Sequence, residues 1–342
     1  MLGFLQQHTI AIYKLDQHTF VKKRIKAREL LSADRFDLYA KLFYIKNRVQ
    51  DAAKAQQVYA DHILAFNPDG KEPGRSDKDG VGDFTRVFDE LINHFKDHEF
   101  DETISLIPVD ENYVPLDGSH RVAALAYFDK EIEVLYFPDV KSKTSFDYNY
   151  FMTRGLPIKS ADAIAKETLA YASNLHLACL WSKKSNIQGK QSVISCIKNQ
   201  FPVYYVKNMH IPLKYFNRMV TATGHQKMTD YMPKESSSSI SAFNGVVQLI
   251  LFQSNNKEEF NNMRESIEKC YKLNQYGLYI TDNYRETEMM MDLVFTEKSK
   301  QFQNTLNRTY DKIEAFRGKF KNVYWINFKV KAAKLLKQLK RN

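Results

Sequence analysis

Residues 117–121, which read DGSHR, bring a carboxylate, a glycine, a hydroxyl, an imidazole and a guanidinium together at one point of the chain. Glycine allows the backbone to approach a ligand closely, and Ser119 is a favourable N-cap for a helix whose free N–H groups point above the loop. A helix start of this kind holds anions, most often phosphates, and Arg121 could clamp the same oxygens through two hydrogen bonds. The same spacing fits a plain turn in which Arg121 pairs with Asp117 and no ligand binds.

The residues around this segment predict the elements that position it. Residues 104–109 and 113–116 are strand-like runs separated by an Asp-Glu-Asn turn, and the second run stops at Asp117. From Val122 the apolar residues change to helical spacing, and residues 132–137 are again strand-like. The predicted order is therefore strand, turn, strand, glycine loop, helix and strand.

The motif from Asp117 to Ala124, DGSHRVAA, resembles the DG-x-HR-xxA signature of the ParB/sulfiredoxin superfamily. The resemblance extends over residues 61–139, because residues 84–95 (FTRVFDELINHF) match the family's helix and residues 104–109 its IPV strand. Members of the superfamily include chromosome-partitioning CTPases, sulfiredoxin and kinases that phosphorylate free serine. The resemblance implies that the loop amides and neighbouring side chains hold nucleotide phosphates; the residues concerned are Gly118, Ser119, His120 and Arg121.

Departures from the family patterns distinguish between these members. Ser119 occupies the position of sulfiredoxin's reductant cysteine, which argues against that chemistry, and the partitioning proteins favour two arginines within the motif. No helix-turn-helix pattern follows the motif. The DG-x-HR form is closest to the small-molecule kinases, and it also resembles uncharacterised proteins of bacterial polysaccharide gene clusters.

The resemblance therefore implies a nucleotide-dependent phosphotransferase that acts on a hydroxyl group of a small metabolite, in the context of surface polysaccharide biosynthesis. Its expected cofactors are ATP or another nucleoside triphosphate and Mg²⁺. Its expected partners are the nucleotide and the hydroxyl-bearing acceptor, while the metal ligands stay unassigned. The alternative is a ParB-like nucleotide-binding or DNA-binding protein without small-molecule catalysis.

A kinase also needs a carboxylate that orients or deprotonates the acceptor hydroxyl. Residues 66–83 form a long polar loop with four glycines, and loops of this length are usually functional or disordered. The loop leads into the helix at residues 84–95, whose start the resemblance brings beside the DGSHR segment. No spacing selects one acid, so the candidates for the catalytic carboxylate are Glu72, Asp77, Asp79, Asp83 and Asp117. The nearby candidates for phosphate contact are Lys78 and Arg86.

A second region where chemistry is expected follows a strand-like run at residues 276–281. Three ionisable residues, Asp282, Arg285 and Glu286, follow the C-terminal end of this strand, where ligands of α/β proteins usually lie. The alternative is helix capping, with Asp282 or Asn283 as the N-cap and Glu286 completing a capping box.

Residues 36–59 have the apolar spacing of one helix. Arg35 lies at its first turn, and Asp37 and Lys41 are four residues apart, so we expect them to form an ion pair. The ordinary interpretation is a salt bridge at the surface. The alternative interpretation is that Arg35 and Lys41 face a substrate.

Length and composition fit a soluble globular protein of two domains, or of one large and one small domain. The chain has 342 residues, of which 44% are hydrophobic and 26% charged. Three widely spaced cysteines, Cys179, Cys196 and Cys270, fit neither a disulfide framework nor a zinc cluster and indicate a reducing cytoplasm. The first residues lack the features of a signal peptide, and no window is apolar enough for a transmembrane helix.

The net charge of +10 is concentrated near the C-terminus. From Asp311 onward, ten basic and two acidic residues contribute +8, so a nucleic-acid-binding face over the body of the protein is not indicated. Residues 328–342 have the pattern of a basic amphipathic helix, which could dock on the protein, lie on an anionic membrane surface or bind nucleic acid. We therefore expect a cytoplasmic protein whose tail docks on the protein itself or, as the alternative, contacts the inner membrane peripherally; nucleic acid is the less favoured partner.

The predicted fold class is α/β (mixed α+β). A helical segment (residues 1–60) precedes a ParB/sulfiredoxin-like nucleotide-binding domain (residues 61–155). A second α/β domain (residues 160–327) begins with an amphipathic helix predicted over residues 160–178, and the basic tail (residues 328–342) ends the chain.

Overall fold

The structure, a computed structural model, describes residues 2–72, 77–183, 187–210, 243–270 and 278–295. Helices and strands are both abundant, which confirms the predicted mixed α/β class. The helices are α1 (Gln7–Tyr13), α2 (Phe36–Asn47), α3 (Ala52–Phe66), α4 (Val81–Asp97), α5 (Ser119–Tyr127), α6 (Tyr148–Thr153), α7 (Ile158–Glu167), α8 (Ile187–Gln200), α9 (Lys257–Cys270) and α10 (Tyr284–Val294). The strands are β1 (Val21–Lys26), β2 (Ile107–Val109), β3 (Glu131–Tyr136), β4 (Leu175–Lys183), β5 (Val203–His210), β6 (Phe243–Gln253) and β7 (Leu278–Ile280). Among the helices so described, none is long and apolar enough to cross a membrane, and the predicted basic tail lies outside the described residues.

The first sheet has three strands in the order β1-β3-β2. Strands β2 and β3 run parallel, and β1 pairs antiparallel with β3 from Val21, opposite Tyr136, to Lys26, opposite Glu131. Neighbouring parallel strands need a crossover connection, and α5 supplies it. The chain between β2 and α5 ends with Asp117 and Gly118, and the rest of the DGSHR segment forms the first turn of α5. The sheet and the helix therefore fix the two ends of this loop.

The second predicted strand, residues 113–116, forms only a single bridge to Val109. The Asp110 side chain accepts hydrogen bonds from the backbone N–H groups of Asn112 and Val114 at 2.8 and 2.9 Å. These bonds hold the chain in a tight turn and occupy a donor that a strand ladder would need. The prediction of a strand is therefore wrong at this point.

Helix α2 is buried on all sides. Residues 36–45 are all buried, and the helix packs against α3, α5 and α7. The predicted continuous helix over residues 36–59 is interrupted after Asn47, because the Asp51 side chain accepts the N–H of Lys54 and caps a new helix.

The second sheet has four strands in the order β5-β6-β4-β7, and all neighbouring pairs are antiparallel. Strand β4 begins at Leu175, within the segment predicted as a helix over residues 160–178, and α7 ends earlier, at Glu167. Asn174 adopts a left-handed backbone conformation, with φ 53°, and this turn separates the helix from the strand. The apolar residues that follow therefore belong to the sheet.

Helix α2 joins the two sheets in one hydrophobic core. Phe36 stacks on Tyr205 of β5 with their ring centroids 6.3 Å apart, and Tyr39 packs edge-on against Tyr204 at 5.8 Å. Because both contacts start from one buried helix, separating the second sheet from α2 would expose a large aromatic surface.

A buried ion pair attaches β5 to α7. The Lys207 ammonium donates to one carboxylate oxygen of Asp162 at 2.8 Å, and the Tyr205 hydroxyl donates to the other at 3.0 Å. The side chains of Lys207 and Asp162 are 3% and 1% exposed. Such a pair contributes little when it is intact, but removing one partner leaves a charge uncompensated in the interior.

We expect Asp162→Ala to lower the free energy of unfolding by about 3–5 kcal/mol, because the Lys207 ammonium loses its buried carboxylate. The matched control is Asp292→Ala, since Asp292 pairs with Lys166 at 2.6 Å on the surface and its removal should cost at most about 1 kcal/mol. Urea unfolding followed by circular dichroism measures both changes. Equal losses in the two variants would contradict a structural role for the buried pair.

Candidate functional site

Helix α5 begins at Ser119, and its N-cap is Gly118 in the left-handed conformation, with φ 78° and ψ 26°. The expectation that Ser119 is the N-cap is therefore wrong by one residue. A Cβ atom at position 118 would lie 2.3 Å from Cδ1 of Ile107, so the loop leaves no room for a side chain there. The Asp117 carboxylate accepts the N–H of Gly118 at 2.6 Å and stabilises the turn locally.

The first two backbone N–H groups of α5 have no protein acceptor among the described residues. These are the N–H groups of Ser119 and His120, and residues 117–121 are half-buried. The Arg121 guanidinium lies over the loop, because a Cβ atom built on Gly118 would be 2.9 Å from its Nη2. Backbone donors, the positive end of a helix dipole and a guanidinium therefore meet at one loop, as an anion site requires.

The His120 side chain packs between α3 and α4. Its Nε2 is 2.9 Å from the Tyr59 hydroxyl, and its ring packs edge-on against Phe88 with the centroids 4.8 Å apart. Burial, followed by the positive charges of Lys41 and Lys78, lowers the pKa of His120 well below its usual range. The imidazole is therefore neutral near pH 7, and among the described residues only Nε2 of the ring has a hydrogen-bond partner.

Three buried charges cluster at the start of α2. Arg35 donates to both carboxylate oxygens of Asp37 at 2.8 and 2.9 Å, and Lys41 donates to the same carboxylate at 3.0 Å. All three side chains are at most 4% exposed. Arg35 also donates to the carbonyl oxygen of Pro115, which attaches the cluster to the chain that enters the glycine loop. The predicted pairing of Asp37 with Lys41 is confirmed, but its predicted surface location is wrong because α2 is packed on all sides.

Two cations share one carboxylate in this cluster. Burial alone would raise the pKa of Asp37, but Arg35 and Lys41 hold it well below its usual range, so the carboxylate stays ionised. Burial lowers the pKa of Lys41 against the opposing effect of Asp37. The Asp117 carboxylate also acts on Arg35 and raises its pKa against the effect of burial, so the two cations of the cluster face two carboxylates.

One residue predicted from the polar loop, Lys78, acts on His120, and a second, Glu72, is its ion-pair partner. Lys78 is buried, donates to the Glu72 carboxylate at 2.5 Å and lies over the Phe84 ring at 5.1 Å from its centroid. The charge of Lys78 reaches His120, whose pKa it lowers. The loop therefore supplies one cation and one carboxylate to the surroundings of α5.

Three other predicted residues, Asp79, Asp83 and Arg86, are paired at the surface. Asp79 pairs with Lys71 at 2.7 Å, and Arg86 pairs with Asp83 at 3.3 Å and with Glu90 at 3.1 Å. The side chains of the three are between 38% and 61% exposed. Each contacts neighbouring surface charges instead of the glycine loop.

The second predicted region has the contacts of a helix cap. Asn283 is the N-cap of α10 and accepts the N–H of Glu286 at 3.0 Å. The Glu286 carboxylate accepts the N–H of Asp282 at 2.9 Å, and Asp282 pairs with Arg264 at 2.5 Å. Arg285 is exposed. These contacts agree with the capping alternative for Asp282 and Glu286.

Tyr59 and His62 lie near the loop although no sequence motif marks them. Both are on α3, both are buried, and Tyr59 contacts His120 directly. Their spacing along α3 is that of an ordinary core face. Only the packing of α3 against α2 identifies them as neighbours of the charged cluster.

Comparison with known proteins identifies no relative. No protein-family model matches the chain, and neither a curated protein nor a solved structure is significantly similar to it. The likeness to the ParB/sulfiredoxin superfamily therefore rests on the motif and on the order of the surrounding elements.

We expect Gly118→Ala to lower the free energy of unfolding by about 2–4 kcal/mol, through left-handed backbone strain and collision with Ile107. The matched control is Gly82→Ala in the first turn of α4, where a Cβ atom meets nothing within 4 Å. That change should stabilise the protein by about 0.5 kcal/mol because alanine favours helix. Denaturant unfolding compares them, and similar effects of both substitutions would refute the constraint at Gly118.

The buried histidines make stability depend on pH. Burial lowers the pKa of His62 and of His120 well below the usual range, so below pH 6.5 the unfolded chain binds more protons than the folded protein. Between pH 7.5 and pH 5.5 the buried His62 should therefore cost about 1.4 kcal/mol of stability, and the half-buried His120 should cost less. His62→Phe should remove its share of this loss, as measured by urea unfolding at both pH values. An identical pH dependence in the variant and the parent protein would contradict the assignment.

Proposed function

We propose that the protein is a nucleoside-triphosphate-dependent phosphotransferase of the ParB/sulfiredoxin type, which transfers a phosphoryl group to a hydroxyl of a small metabolite. The observation that carries the proposal is the start of α5. Backbone donors of Ser119 and His120 and the guanidinium of Arg121 meet at a glycine that has no room for a side chain. Phosphate groups are the anions that such helix starts most often bind.

The order of the surrounding elements supports the proposal. Helix α4, strand β2, the glycine loop, helix α5 and the parallel strand β3 follow one another, in the order that the resemblance implies. On this proposal residues 61–155 bind the nucleotide, and residues 160–327 provide specificity for the acceptor. The link to surface polysaccharide synthesis rests on the resemblance alone.

The charges near the loop also support it. The positive charges of Lys41 and Lys78 both reach His120, and Lys41 shares its buried cluster with a second cation, Arg35. A triphosphate gathers negative charge on its oxygens as the phosphoryl group is transferred, so fixed positive charges lower the barrier. Neutral His120 would add a hydrogen-bond donor or acceptor without adding charge.

Asp117 is the best candidate to receive the acceptor's proton. It is half-buried at the loop, whereas Asp79 and Asp83 are paired at the surface and Glu72 is paired with Lys78. In the proposed step the acceptor oxygen bonds to the γ-phosphorus, and the bond from that phosphorus to the β–γ bridging oxygen breaks. The nucleoside diphosphate leaves with the electron pair, and the hydroxyl proton passes to the Asp117 carboxylate.

Mg²⁺ fits this arrangement as a companion of the nucleotide. Among the described residues, no group of three or more His, Cys, Asp or Glu side chains could hold a metal ion alone. Nucleotide-bound Mg²⁺ needs only one or two protein carboxylates, because phosphate oxygens and water complete its shell. The ion would neutralise charge on the phosphates.

We expect Arg121→Ala to weaken nucleotide binding about 30-fold or more, because a guanidinium that clamps phosphate is lost. Isothermal titration of the full chain with ATP, CTP and GTP, each with and without Mg²⁺, measures the change. Arg86→Ala is the control, since Arg86 pairs with Asp83 and Glu90 at the surface, and it should bind like the parent protein. Unchanged affinity in Arg121→Ala, or no nucleotide binding by the parent protein, would refute the proposal.

A further inference from the structure

The C-terminal end of α4 places two histidine rings side by side. His94 and His98 are four residues apart in the sequence, and their rings are parallel within 3°, with the centroids 4.5 Å apart. Both residues are exposed. The His94 ring also packs edge-on against Phe95 at 5.2 Å between centroids. Because Phe95 is buried, the core fixes the part of the helix surface on which the pair lies.

The hydrogen bonds of His98 determine which of its ring nitrogens can bind a metal ion. His98 is the C-cap of α4, and its backbone N–H donates to the carbonyl oxygen of His94 at 3.0 Å. Its Nδ1 lies 3.0 Å from the same oxygen. Because a carbonyl oxygen can only accept, Nδ1 carries the proton, and Nε2 of the neutral ring keeps its lone pair. Histidines that bind a metal ion through one nitrogen usually donate the other N–H to a carbonyl or carboxylate in this way.

The surroundings of His98 favour a bound cation. The C-terminal end of a helix carries partial negative charge from the aligned peptide dipoles. Asp97 and Glu99 flank His98 in the sequence and balance the charges of Lys96 and Lys130. Lys130 donates to the His98 carbonyl oxygen at 2.7 Å and pairs with Glu99 at 3.1 Å. These contacts attach the end of α4 to the turn between α5 and β3 and hold the His98 backbone in place.

We propose that His94 and His98 form a site for Zn²⁺ or a similar divalent transition metal ion, with water completing the coordination shell. Imidazole nitrogens suit Zn²⁺, Cu²⁺ and Ni²⁺, whereas Mg²⁺ and Ca²⁺ prefer oxygen ligands. Two nitrogens on one tetrahedral zinc ion lie about 3.3 Å apart, because each Zn–N bond is about 2.0–2.1 Å long. Rings that are already parallel at 4.5 Å reach this separation by a small rotation of exposed side chains.

This site is separate from the start of α5. His120 contacts α4 at Phe88, and from Phe88 to His94 the helix rises by about 9 Å. Among the described residues, no hydrogen bond, ion pair or ring contact joins the two exposed histidines to residues 117–121. The site therefore stands whether or not the protein is a phosphotransferase.

Isothermal titration of the full, metal-free chain without a purification tag tests the site, with ZnCl₂ as the probe. His94→Ala and His98→Ala should each weaken zinc binding about tenfold or more, because the remaining ring loses its partner in the chelate. Combining both changes should weaken it little further, since one ion shared by two rings makes the single effects non-additive. The control is His8→Ala, which removes an exposed histidine of α1 and should bind zinc like the parent protein.

Two further measurements keep the result interpretable. In EDTA the variants should unfold within about 2 °C of the parent protein, because both rings are exposed, so a loss of zinc binding is not a loss of fold. Electron paramagnetic resonance of the Cu²⁺-loaded parent protein should show two imidazole nitrogens on the ion, and each single variant should show fewer.

Three outcomes would overturn the site. They are no zinc binding by the parent protein, unchanged affinity in both single variants, and loss of half the bound zinc in each single variant with the rest bound as tightly as before. The last outcome would indicate two independent histidines. One zinc ion per chain supports the site, and so does one ion per two chains, with a second copy supplying the other two of four ligands.

Discussion

A carboxylate held between two cations in the interior is the interaction on which the rest of the structure depends. Asp37 can be buried because Arg35 and Lys41 contact it directly, and α2 can therefore be packed on all sides. From this helix the packing extends to α3, α5 and α7 and to the aromatic residues of the second sheet. The same arginine contacts the Pro115 carbonyl, two residues before Asp117.

Stability alone does not explain this cluster. Burying three charges costs more desolvation free energy than their attraction returns unless the geometry is very good, and apolar residues of similar size often hold helices together as well or better. Such residues would not fix the chain before the glycine loop, and they would leave no positive charge near it. The cluster is better explained by its effect on the loop than by its effect on the core.

The sequence predicted the elements whose signals are local. Residues 84–95 and 132–137 form the expected helix and strand because their apolar spacing matches the faces they bury. Prediction from the sequence failed where a single polar side chain redirects the backbone. At Asp110 a turn replaces the predicted strand, and at Asp51 a new N-cap divides the predicted helix in two. An alternating or helical pattern of apolar residues carries no information about such side-chain bonds to the backbone.

In the candidate site, likewise, some features can be predicted from neighbouring residues in the sequence and others depend on tertiary packing. The glycine loop has a local signature, but a lysine and an aspartate four residues apart look alike on a solvated helix and on a buried one. Whether the pair is buried depends on the helices that pack around α2, which are α3, α5 and α7. Besides burial itself, the positive charge of Lys41 lowers the pKa of both His62 and His120. Burial, aided by this charge, keeps the two histidines neutral, and a positive potential of this kind favours an anion. The same lysine therefore contributes to the low pKa values and to the proposed anion site.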